Sequence, residues 1–159
     1  MATPFYLQYL VDIKTLLSNS STFQTMCTKT SPATVAPFIF IYETDTPTST
    51  AFAVVTDPEE ESEFTKKIQA QGFQAYAGYR SAQIVIYQYV SAWNETNSST
   101  FLTRIDDILG QMLALQGTQS YAIIDSFSKV NARTLPYRFI DAEQKGYQLG
   151  LVFRNRTFA

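Results

Sequence analysis

The chain is 159 residues long, enough for one domain with a single sizeable core. Its 12 Lys/Arg and 14 Asp/Glu give a net charge of −2, and it has no histidine and one cysteine, Cys27. Those counts exclude His-dependent triads, His–metal clusters, Cys-rich zinc sites and an intrachain disulfide, and they give no whole-protein field for tight nucleic-acid binding.

Taken in chain order, the N-terminus lacks the basic and apolar regions of a signal peptide. Residues 5–17 read as an amphipathic helix: Phe5, Tyr9, Ile13 and Leu16/Leu17 recur at helical spacing and Pro4 suits the first turn. Residues 18–34 are Ser/Thr-rich without periodicity and read as a loop, with Cys27 a free thiol of no special role. Pro37 opens a strand over Phe38–Tyr42; Asp45–Ser49 is turn chemistry, and Ala51–Val55 is a second strand.

Asp57-Pro58-Glu59-Glu60-Glu61 has the marks of a helix start: a cap, a proline at the first position and carboxylates at the positive end of the dipole. That acidic helix is expected to run to Gln71 and stop at Gly72. Residues 73–79 suit a loop or short strand. Ser81–Ser91 is the best strand, apolar on both faces and therefore central or covered on both sides. Its apolar run Ile84–Tyr87 is far too short to cross a membrane. Ser99–Gln116 forms a helix with the stripe Phe101, Ile105, Ile108/Leu109 and Met112/Leu113, ended by Gly117. Strands follow at Tyr121–Phe127, Arg133–Ile140 and Tyr147–Arg154. The order predicts a single α+β domain over 1–159, with a mostly antiparallel sheet, helices on one face and an insertion with the acidic helix at about 45–78.

A search for chemistry finds little. No glycine-rich phosphate loop or Gly-x-Ser-x-Gly elbow is present. Asp106 and Asp107 diverge by about 100° on a helix, so they read as a solvated face rather than a metal site. The run Glu59–Glu61 with Glu63 lacks a calcium loop's turn and reads as a helix start. Tyr87, Tyr89 and Trp93 follow one strand at period 2, but no basic residue is interleaved among them, which favours core or subunit interface over base stacking. The expectation is no enzymatic activity, no cofactor and no metal.

Charged residues are 16% of the chain, against about 25% in typical domains. Interfaces are poor in Lys, Asp and Glu and rich in Tyr and Phe, so the composition suggests an assembly subunit; a charge-poor monomer is the alternative. Residues 129–159 hold 6 Lys/Arg and 2 Asp/Glu, against 6 and 12 before them. Asp57, Glu59, Glu60 and Glu61 on one side, and Arg133, Arg138, Arg154 and Arg156 on the other, are the candidate subunit interface, pairing head-to-tail between copies or folding back within one.

The order of elements resembles that of the tail terminator and tail-completion (neck) proteins of long-tailed bacteriophages. The matching stretches are residues 5–17, Ala36-Pro37-Phe38-Ile39-Phe40-Ile41-Tyr42, Ser81–Val90, residues 99–116 and Tyr147–Phe153. The resemblance implies a virion protein, made in the host cytoplasm, that forms a hexameric ring, caps the tail tube and joins the tail to the head connector. Its partners would be itself, the tube and the neck proteins, with passing contact between lumen arginines and DNA and no membrane. Other readings are a different virion subunit, such as a tail-tube protein, and a small α+β ligand-binding domain or enzyme with a pocket between the last helix and the sheet.

Overall fold

In a computed structural model the described residues are 5–42, 51–56, 64–70, 73–116, 126–139 and 144–158, with side chains described at 7–42, 51–56, 82–115 and 145–153. They form an α+β domain with a mixed, mostly antiparallel sheet. Helix α1 (Phe5–Ser18) is followed by short helices α2 (Ser21–Met26) and α3 (Pro32–Val35) and by a 3-10 turn at Ala36–Phe38. Then come β1 (Ile39–Ile41), β2 (Ala51–Thr56), β3 (Phe64–Ala70), β4 (Phe73–Tyr89), helix α4 (Glu95–Gln116), β5 (Ser126–Phe139) and β6 (Gln144–Phe158). The strands lie in the order β1-β2-β4-β6-β5, with β3 pairing the first part of β4. β1 runs parallel to β2 and every other pairing is antiparallel. Pro136 sits in β5, an outer strand, where the missing N–H costs a ladder least.

One face of the sheet is closed by helices. Ala51, Ala53 and Val55 of β2, Ala82, Ile84 and Ile86 of β4, and Tyr147, Leu149, Leu151 and Phe153 of β6 alternate along their strands and join one core cluster. Against them pack Tyr9, Leu10, Ile13, Leu16 and Leu17 from α1, and Phe101, Ile105, Ile108 and Met112 from α4. The expected stripe of α4 is therefore the buried one, and the helix starts four residues earlier than expected, at Glu95.

Several expectations are corrected. The first is the loop at 18–34, which contains two short helices. Its Ser and Thr residues act as caps: Ser20 Oγ accepts from the Phe23 N–H, and Ser31 and Thr34 form a reciprocal capping box ahead of Pro32. Phe23, Met26, Cys27 and Val35 supply the core anchors.

The second is the acidic helix. Residues 57–63 lie outside the described residues, but 64–70, expected to complete it, form strand β3. Phe64 pairs with Gly78 and Ala70 with Phe73, with a register shift between Lys66 and Ile68. With only Phe64 and Ile68 as an apolar stripe, a helix there would bury little, and long-range pairing with β4 decides the outcome.

The third is the stretch 73–79, which belongs to β4 rather than to a loop. The expected strands 121–127 and 133–140 are also redrawn: β5 runs from Ser126 to Phe139, with its pairing shifted between Val130 and Leu135, while 121–125 and the turn at 45–49 lie outside the described residues.

Candidate functional site

The space between α4 and the sheet, where a ligand pocket was one expectation, is filled among the described residues. Phe101, Ile105, Ile108 and Met112 are fully buried there, and Phe101 stacks on Tyr147 at 5.8 Å between ring centroids. A groove of about 600 Å³ lies instead along the outer side of α4, lined by Glu95, Thr96, Ser99, Thr100, Thr103 and Arg104. It is shallow and open. The hydroxyls of Thr100 and Thr103 donate back to Thr96 and Ser99 carbonyls, so the groove has no converging set of polar groups.

Polar clasps hold the helices to one another and to the strands. Gln111 of α4 reaches the start of α2: its Oε1 accepts from Ser20 Oγ at 2.5 Å and from the Thr22 N–H at 3.1 Å, and its Nε2 donates to Thr22 Oγ1 at 2.8 Å. At the end of β4, Trp93 Nε1 donates to the Gly146 carbonyl at 2.8 Å and Lys145 Nζ lies 5.4 Å from the Trp93 ring. The Tyr147 hydroxyl accepts from the Asn94 N–H and donates to its carbonyl, so the entry to α4 is pinned to β6. Trp93, whose spacing with Tyr87 and Tyr89 suggested core or subunit interface, is 36% exposed and bonded in this way.

The other face of the sheet has a different character. Register places Phe52, Tyr87 and Gln148 in one row, Val54, Val85 and Gly150 in the next, and Thr56, Gln83 and Val152 in a third, with Phe40 beside Val54. None of these is charged. Phe52 is nearly buried because Tyr87 stacks on it at 4.6 Å and Phe40 meets it edge-on at 6.4 Å. Phe40, Val54, Val85 and Tyr87 are half-buried. No described helix packs on this face.

The charged candidates divide. Asp57, Glu59, Glu60 and Glu61 lie outside the described residues, but both ends of their connector are anchored: Thr56 pairs with Gln83 and Phe64 with Gly78. Arg154 and Arg156 pair with Ser81 and Tyr79 from the opposite side of β4, so the connector's anchors and these two arginines share one end of the sheet within one chain. Arg138 pairs with Lys145 near the other end, and Arg133 falls in the β5 register shift. The four arginines are thus not gathered at one place.

Topology also exposes a pattern that a split by sequence position hides. β3 carries Lys66 and Lys67, β4 Arg80, β5 Lys129, Arg133 and Arg138, and β6 Lys145, Arg154 and Arg156, while among the described residues no Asp or Glu lies in a strand. The described carboxylates, Asp12, Glu95, Asp106 and Asp107, belong to α1 and α4.

Cys27 closes α2 rather than sitting in a loop. It is buried, its Sγ donates to the Ala51 carbonyl at 3.4 Å, and burial pushes its pKa from 9.0 to about 12 against a small opposing effect of Lys29. That holds the thiol protonated. Asp106 and Asp107 are exposed on α4, as expected for a solvated face. Among the described residues no group of three or more His, Cys, Asp or Glu is placed to hold a metal, and no helix is long and apolar enough to cross a membrane. No known protein family matches the chain, and no curated protein is similar enough to count as a relative.

Proposed function

We propose that the protein is a structural subunit of a phage tail or neck, one copy in a ring that caps the tail tube and joins it to the head connector, acting without chemistry of its own. The observation that carries the reading is the element order. An opening amphipathic helix leads, past the Pro37 turn, to β1; the long central strand β4 runs into the long helix α4; and β6 closes the fold against β4. These are the elements on which the resemblance to tail terminator and tail-completion proteins rests, and fold-level likeness is an analogy for function. The charge-poor composition favours a subunit over a free-standing monomer.

Negative-stain microscopy of the purified chain tests this. Rings of uniform diameter are the expected result. Featureless particles, alone and after addition of tail tubes, would remove the ring reading, and long tubes would favour a tube subunit.

A further inference from the structure

We infer that the hairpin formed by β3 and the start of β4 is an arm that docks on the outer side of α4 in a second copy of this chain. β6 pairs with β4 only as far back as Ala77, and β2 pairs with it only between Gln83 and Gln88. Ahead of Ala77 the strand has one neighbour: Lys66 pairs with Tyr76, Ile68 with Ala75, Gln69 with Gln74 and Ala70 with Phe73. Among the described elements, β3 makes contacts of substance with β4 alone. The outer part of the hairpin is therefore two strands wide, and such a ribbon without a third strand or a helix is marginal in water. From Phe73 to Tyr76 it overhangs the rest of the sheet by roughly 13 Å, at about 3.3 Å per residue. Apolar Ile68, Phe73 and Tyr76 fall in this overhang, together with Lys66 and Lys67 and no carboxylate.

Groove, charge and distance select the occupant. The groove of about 600 Å³ along α4 runs from Glu95 to Arg104, about 14 Å of helix at about 1.5 Å per residue, which matches the overhang in length. Shallow and open, it suits a ribbon of chain better than a small ligand. α4 carries three exposed carboxylates, Glu95, Asp106 and Asp107, against the single cation Arg104, and the overhang brings two lysines. The two surfaces lie at opposite ends of one strand. The groove begins just past the last residue of β4, where the Trp93–Gly146 and Asn94–Tyr147 bonds pin the chain, and the overhang holds the first residues of β4. The 17 residues of β4 span about 56 Å at about 3.3 Å each. Even an α4 that turned straight back along β4 would bring its groove only about 14 Å nearer. An arm does not reach its own groove across that gap, so the contact runs head to tail between copies. Such a heterologous contact closes into a ring when the rotation between copies allows it. The inference deepens the ring reading by naming its contact, and it rests on that reading for the closure alone.

The test is disulfide trapping between two variants of the full chain, in which the native Cys27 is buried. Lys66→Cys and Thr100→Cys chains are mixed, oxidised and separated without reductant. Ala114→Cys, exposed on α4 outside the groove, takes the place of Thr100→Cys as control, and circular dichroism verifies folding. The expected result is a covalent dimer of Lys66→Cys with Thr100→Cys, formed several-fold more readily than with Ala114→Cys. In sedimentation velocity, Lys66→Glu combined with Lys67→Glu should raise the dissociation constant about three- to tenfold at low salt, an effect that fades at high salt. Folded chains that associate without preferential trapping would overturn the inference and leave the ring reading standing. A wild type that stays monomeric at every concentration, or whose two lysines instead bind DNA in a gel shift, would overturn it as well. Preferential trapping in open filaments rather than rings would support the inference and remove the ring reading.

Discussion

The two faces of the sheet are both apolar, yet they differ in what the chain supplies to cover them. On one, Ile84, Ile86, Leu149 and Leu151 join the core cluster with α1 and α4 and lose nearly all contact with water. On the other, Val54, Val85 and Tyr87 stay half-buried, and the aromatic stack of Phe40, Phe52 and Tyr87 covers mainly itself. A sheet with one solvated face usually alternates apolar-in and polar-out. Here the described part of β4 keeps Val85 and Tyr87 on the side away from the helices, so one face holds the fold while the other has no described helix over it.

The helix-covered face sets the largest expected effect. Ile105→Ala opens a cavity under α4 and is expected to cost about 2–5 kcal/mol in urea unfolding; a loss below about 0.5 kcal/mol would mean that the stripe is not core. The clasp beneath that layer comes next. Ser20→Ala removes the cap of α2 and one partner of Gln111, and about 1–2 kcal/mol should be lost. Gly110 stands on the exposed side of α4, where an added methyl meets nothing within 4 Å, so Gly110→Ala should raise stability by about 0.5–1 kcal/mol.

Cys27 sharpens the contrast through pH. Its folded pKa, about 12, lies above the ordinary 9.0, so folded chains keep a proton that unfolded ones release. Stability should be flat below pH 9 and fall as the pH rises towards 12 in wild type, more steeply than in Cys27→Ala. In line with this, alkylation of native protein at pH 8 should be slow and should become fast in denaturant.

How much of this was legible in sequence depends on how local each signal is. The helices α1 and α4 were readable because a 3.6-residue stripe is written in consecutive residues. The stretch 18–34 was not, because its Ser20, Ser31 and Thr34 spend their hydroxyls on caps, which in sequence resemble loop chemistry. Asp57-Pro58 and the glutamates after it are a local helix signal, but residues 64–70 answer to Gly78 and its neighbours in β4 instead. The charge pattern was visible only as a difference between the two ends of the chain. Pairing of β4 with β6 was needed to place Arg154 and Arg156 across a strand from the acidic connector's anchors. Likewise the apolar two-sidedness of β4 suggested a strand that is central or covered on both sides; it is central, between β2 and β6, while α1 and α4 pack on one face.

Ile84 and Val85 are consecutive residues of one strand on opposite faces, and they give the most direct test of the claim that the faces differ. The measurement is urea denaturation of Ile84→Ala and Val85→Ala at a protein concentration low enough to keep the chain monomeric. Ile84→Ala should cost about 2–4 kcal/mol and Val85→Ala under about 1 kcal/mol. Equal losses of about 2 kcal/mol or more at both positions would mean that the chain covers both faces by itself, contradicting the account.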